Sequence, residues 1–128
     1  MSSVFANLIL DVGDIHRSLA FYHDMLNLPI DRQESCDGHH LAYLHAGQTE
    51  ILLLQQPKNE QNPMLDRSGG LVMKFYVREL RTVAKSLQEK RVTVLQDLDA
   101  PVYGERTLLI ADPDGYAVLL AERVETMN

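Results

Sequence analysis

An internal repeat constrains this chain more than any other feature of its sequence. Asn7-Leu8-Ile9-Leu10-Asp11-Val12 precedes a helix opening at Asp14-Ile15, and 65 residues later Val72-Met73-Lys74-Phe75-Tyr76-Val77 precedes a helix opening at Glu79-Leu80. The shift carries Val12 onto Val77, Ile15 onto Leu80, and Leu19 and Tyr22 onto Ala84 and Leu87. It is close to half of the 128 residues, so the chain reads as two structural modules that form one domain, residues 1–128. Such a length buries roughly two thirds of the unfolded surface, enough for one substantial core. A site is expected where the halves meet.

In the first module, about residues 4–56, Leu8, Leu10 and Val12 share one face of a strand and Asn7, Ile9 and Asp11 share the other. Asp14 is placed to cap a helix over 15–26, whose Ile15, Leu19, Tyr22 and Leu26 recur at helical spacing and cover the first of those faces. Asn27 suits a left-handed terminator. Three strands follow, over 31–36, 39–46 and 49–55. In the second of these, His39, Leu41, Tyr43 and His45 alternate with His40, Ala42, Leu44 and Ala46. The Ile51-Leu52-Leu53-Leu54 run predicts a strand buried on both faces or nearly so.

Residues 57–68, rich in Pro, Asn, Gln and charge, read as a linker or a loop. The second module, about 69–123, repeats the order: a strand over 71–77, a helix over 79–90 with an apolar stripe of Leu80, Val83, Ala84 and Leu87, and strands over 92–98, 106–111 and 117–122. Asp112-Pro113-Asp114-Gly115 is turn chemistry rather than a pair of catalytic carboxylates. The last residues, 124–128, are expected to fray.

A net charge of -6 and a pI near 5.2 argue against a polyanion partner, so nucleic acid is not expected. The one cysteine, Cys36, has no disulfide partner and no second thiolate for a metal site. No basic n-region with a long apolar run opens the chain and no stretch has transmembrane length, so neither a signal peptide nor a membrane partner is expected and the cytoplasm is the default.

Two tandem units of strand, helix and three strands, with Asp14-Ile15, Ser18, Phe21-Tyr22 and Leu26-Asn27-Leu28 in the first and Gly104-Glu105-Arg106 before Asp112-Pro113-Asp114-Gly115-Tyr116 in the second, resemble the vicinal oxygen chelate superfamily. That group takes in glyoxalases, bleomycin-resistance proteins and extradiol dioxygenases. The resemblance spans 7–122 and implies an α+β fold, two βαβββ modules forming a rolled mixed sheet with helices on the outer face. The concave side would cup a small organic molecule, and the chain would form a homodimer. Metal-dependent members bind a divalent ion through a His or Gln at the start of each module's first strand and a Glu in each module's last strand.

Carried over position by position, the ligand sites of that family fall here on Asn7, on Leu52 or Leu53, on Val72 and on Leu119. None is a histidine or carboxylate, so the usual metal site is expected to be absent and no cofactor is expected. The expected function is binding or sequestering an organic ligand. Two enzymatic alternatives, a lactoylglutathione lyase of the glyoxalase I type and a ring-cleaving dioxygenase, would need Ni, Zn, Mn or Fe, which only a relocated site using His39, His45 or Glu50 would provide.

Strand parity nominates Asn7, Asp11, Lys74 and Tyr76 for the concave face. Asp11 and Lys74 would pair, touch ligand or simply be wet. Tyr43 and Tyr103 would be walls for a planar ligand or half-buried packing residues. Arg106 would hold a ligand's carboxylate or phosphate, or brace the loop at Tyr103-Gly104.

Overall fold

The computed structural model describes residues 2–60 and 69–124. The chain divides into two compact units, Met1–Leu65 and Asp66–Asn128. In the first, strand β1 (Leu8–Asp11) is followed by helix α1 (Ile15–Leu19) with a π-helical continuation at Ala20–Met25, then β2 (Ile30–Cys36), β3 (His39–Ala46) and β4 (Thr49–Gln55). The second has β5 (Val72–Tyr76), α2 (Leu80–Glu89), β6 (Thr93–Val102), β7 (Glu105–Ala111) and β8 (Ala117–Arg123). Each unit forms one four-stranded mixed sheet, in the orders β1-β4-β3-β2 and β5-β8-β7-β6. The fold is α+β with two βαβββ modules. A short 3₁₀ turn, Lys58–Glu60, opens the expected linker, whose residues 61–68 lie outside the described residues, as do 125–128 of the tail.

The two modules are built on one plan. The first strand pairs parallel with the last, Leu10 against Leu53 in one module and Phe75 against Leu120 in the other, and the remaining pairs are antiparallel. Pleating then gives each sheet a helix face and an opposite face. Leu10, Val12, Ala42, Leu44, Ile51 and Leu53 are buried on the helix face of the first sheet, as are Leu108, Ile110, Val118 and Leu120 in the second. Burial of a leucine or isoleucine of this kind is worth about 1.5–3 kcal/mol each, so these two apolar layers are what hold the helices to the sheets.

The first helix departs from its expected form. Asp14 does cap it, its Oδ1 accepting the His16 amide at 2.9 Å. Beyond Leu19 the helix widens, with the Leu26 amide bonding to the Phe21 carbonyl five residues back at 3.1 Å. The extra residue per turn rotates the apolar stripe. Ser18, Phe21 and Tyr22 are buried while Leu19 and Leu26, expected in the stripe, are half-buried. Phe21 and Tyr22 meet edge to face with centroids 4.8 Å apart. Asn27 ends the element in the left-handed region at φ 61°, and the Leu28 amide returns to the Tyr22 carbonyl six residues back at 3.0 Å.

Helix α2 stays α-helical and starts differently. Glu79 takes φ 54° and gives no cap from its own side chain; instead its amide donates to Glu122 Oε2 on β8 at 2.8 Å. That carboxylate thus sits at the positive end of the helix, where its charge is stabilised. Strand β6 runs to Val102, four residues beyond its expected end, with register irregularities between Val94 and Gln96 and between Leu98 and Val102.

Candidate functional site

Register settles which residues face away from the helices. Ile9 pairs with Leu52 and Lys74 with Leu119, and Ile9 and Lys74 are related by the 65-residue repeat. Leu52 is therefore the counterpart of Leu119, whereas Leu53 pairs with Leu10 and lies fully buried on the helix face. The positions to which the family resemblance assigns metal ligands therefore fall on Leu52 rather than Leu53, on Val72 and Leu119, and on Asn7 just ahead of β1. Three are hydrocarbon side chains with no lone pair to donate, and the fourth is a neutral amide, so this donor set does not fit a divalent ion. No group of three or more His, Cys, Asp or Glu able to hold a metal exists among the described residues.

His39, His45 and Glu50 do not rebuild such a site. The two histidines stand six residues apart on β3, about 20 Å at roughly 3.4 Å per residue. Each also has its own carboxylate: His39 Nε2 lies 2.6 Å from Glu60 and His45 Nδ1 2.7 Å from Asp31. Glu50 lies across the β3–β4 ladder from His45.

The opposite face of the second sheet carries a connected polar cluster. Lys74 Nζ donates to Glu105 Oε1 at 2.8 Å. The two residues sit on β5 and β7 with β8 between them, so the bridge crosses that strand diagonally at Ala121, which is fully buried. A larger side chain there would obstruct the bridge. Tyr76 pairs with Ala121 and presents its ring to both cations, with Lys74 Nζ 4.9 Å and the Arg123 guanidinium 4.0 Å from its centroid. The hydrogen bond from Lys74, then one with Tyr76, holds the Glu105 carboxyl below the usual carboxylate range. In turn the bond to Glu105 raises Lys74, and hydrogen bonding to Tyr76 raises Arg123. The cluster therefore carries two cations and one carboxylate, a net charge of about +1 at neutral pH.

Beside it, Leu119 and Leu109 pair across β8 and β7, and Val72, more than half exposed, pairs with Ala117. The face thus runs from an apolar floor to a charged end. At that end a pocket of about 550 Å³ opens, lined by Tyr76, Val77, Arg78, Glu79, Glu122 and Arg123.

The first sheet carries a simpler version on its opposite face. Arg32 packs its guanidinium 4.0 Å from the centroid of the Tyr43 ring and lies 3.4 Å from Glu34. Hydrogen bonding to Tyr43 is the main influence raising Arg32. Ile9 is half exposed at the far side of the same pleated row, with Leu52 between it and Tyr43.

Of the residues nominated from sequence, Lys74 and Tyr76 belong to this cluster, Tyr43 lies on β3 of the first sheet, and Asn7 just precedes β1. Three expectations need correction. Lys74 pairs with Glu105 rather than Asp11, which accepts from Gln56 Nε2 at 3.3 Å. Arg106 follows the parity of buried Leu108 and Ile110 onto the helix face, where its Nη1 lies 3.4 Å from Glu122 Oε1; it steadies the carboxylate that caps α2. Its Nε is buried without a hydrogen-bond partner. Tyr103, at φ 51° in the β6–β7 turn, is fully exposed and walls nothing. Glu105 and Arg123 were not nominated. Their signal was present in the parity of β7 and β8, since both fall on the face of Leu109 and Leu119.

A glyoxalase/bleomycin resistance protein/dioxygenase superfamily model matches residues 5–120. The chain belongs to this superfamily. Its repeat, paired modules and α+β topology are those of the group, and the structural neighbours agree. A glyoxalase family protein from Bacillus cereus superposes with a TM-score of 0.82 at 15% identity, covering 94% of each chain. The trypanothione-dependent glyoxalase I of Leishmania major gives 0.75 at 20% identity, over 94% of this chain and 87% of the other. The fosfomycin resistance protein FosX of Listeria monocytogenes gives 0.73 at 15% identity, over 99% and 97%. At these identities the likeness is one of fold. A search of curated proteins returns no match. No helix among the described residues is long and apolar enough to cross a membrane.

Proposed function

We propose that this superfamily member binds or sequesters a small organic molecule on the helix-free face of its sheet, without the divalent metal that its catalytic relatives use, and acts as a homodimer. The observation that supports this reading is that the positions the family resemblance assigns to metal ligands hold Asn7, Leu52, Val72 and Leu119, none a histidine or carboxylate. Exposed apolar surface at Val72 in the second module gives such a ligand area to bury, and the Lys74, Glu105, Tyr76 and Arg123 cluster of the same module gives it orientation.

A thermal-shift panel of small organic molecules, run with and without EDTA, tests it. A ligand at a hundredfold excess over its Kd stabilises by about 2.7 kcal/mol, which raises Tm by several degrees. The expected hit is indifferent to EDTA. Stabilisation that vanishes with EDTA, or turnover of methylglyoxal with glutathione on adding Ni or Zn, would instead support a lyase of the glyoxalase I type.

A further inference from the structure

Resting on that reading, we infer that the ligand is an organic anion with an apolar body, its head group taken by Arg123 and Lys74 and its body laid along Leu119, Leu109 and Val72. Three features of the second module point there. The polar residues gather at one end of the face and the apolar residues at the other, which suits an amphiphilic molecule in one orientation. The cluster sets two cations, Lys74 and Arg123, against the one Glu105 carboxylate that they share, beside a pocket whose lining adds Arg78, Glu79 and Glu122. The Arg123 guanidinium lies over the Tyr76 ring at 4.0 Å and lines the 550 Å³ pocket, so its planar fork is held at an open space wide enough for a carboxylate or sulfonate.

Glu105 then has a definite role. It is the resident carboxylate, and an incoming anion competes with it for Lys74. A neutral or cationic head group would leave Arg123 and Lys74 sharing the single Glu105 carboxylate and gain no charge-assisted bond from the cluster. The proposal therefore fixes the sign of two substitutions: Arg123→Gln weakens the anion and Glu105→Gln strengthens it.

Three probes with one rigid ten-carbon ring system separate head group from body: 2-naphthoate, 2-naphthylmethanol and 2-naphthylmethylammonium, titrated into the full chain and followed by their fluorescence. A rigid body keeps the entropic cost of ordering low. The expected order is naphthoate ahead of the alcohol by roughly tenfold, with the ammonium weakest, as hydrogen bonds to charged groups allow. Arg123→Gln should bring naphthoate close to level with the alcohol, and Glu105→Gln should tighten naphthoate about threefold. Circular dichroism confirms that both variants fold. Equal binding of the three probes, or a preference for naphthoate that survives Arg123→Gln, overturns the anion assignment and leaves apolar binding standing. If none of the probes binds, the anion assignment fails together with the binding role.

Discussion

The two modules share a plan and differ in how they finish it. In the first, the helix is capped from within the same turn, Asp14 to the His16 amide, and then widens into a π turn that buries adjacent aromatics. In the second, the helix is regular and its start is held from a strand 43 residues later, through Glu122. The faces away from the helices diverge in the same sense. One bears a single cation on a tyrosine, Arg32 on Tyr43, whereas the other bears a cluster of Lys74, Glu105, Tyr76 and Arg123 with an adjacent pocket. The two modules therefore share the apolar layers, which must pack, and differ in caps and opposite faces, the second bearing the larger polar cluster.

The largest test of this contrast is in the first helix. Phe21→Ala should cost about 3–5 kcal/mol and Leu19→Ala no more than about 1.5, by urea denaturation, because the π turn turns the former inward and the latter aside. A larger loss at Leu19 would restore an unbroken α-helix and erase the difference. Next come the caps. Glu122→Ala should destabilise by about 2 kcal/mol and Asp14→Ala by about 1, since the former also strips Arg106 of its ion pair while the latter removes one local bond. Equal losses would mean that the distant cap adds nothing beyond the local one.

The smallest effect concerns pH. Because Lys74 lowers Glu105 in the folded protein, the stability due to this pair is fully present above the ordinary glutamate value near 4.3 and is lost as pH falls through the lowered value. Glu105→Gln should therefore flatten part of the acid limb of a Tm against pH curve below about pH 4.3 and leave the neutral region little altered. An unchanged acid limb would mean that the pair is not held in solution.

The repeat, the strand alternation and the helix stripes were legible because each depends on periodicity within a few residues. Leu8, Leu10 and Val12 against Met73, Phe75 and Val77 were enough to place the two layers. What was not legible depends on register between strands or on a change of helical period. Counting from Gly47 and counting from Pro57 differ by one residue and leave Leu52 and Leu53 as alternatives, which the pairing of Ile9 with Leu52 separates. Lys74 and Glu105 are 31 residues apart, and their bridge follows from β5, β8 and β7 lying side by side in one register. Arg106 was ambiguous for the same reason. The π turn escaped because a 3.6-residue period was assumed through Tyr22.

The central claim is that the family's metal chemistry has given way to metal-free binding. It is tested most directly by incubating the full chain separately with Ni, Zn, Mn and ferrous iron, desalting, and measuring bound metal by mass spectrometry. The ligand positions Asn7, Leu52, Val72 and Leu119 predict far less than one equivalent of each. One tightly held ion per chain would contradict the account.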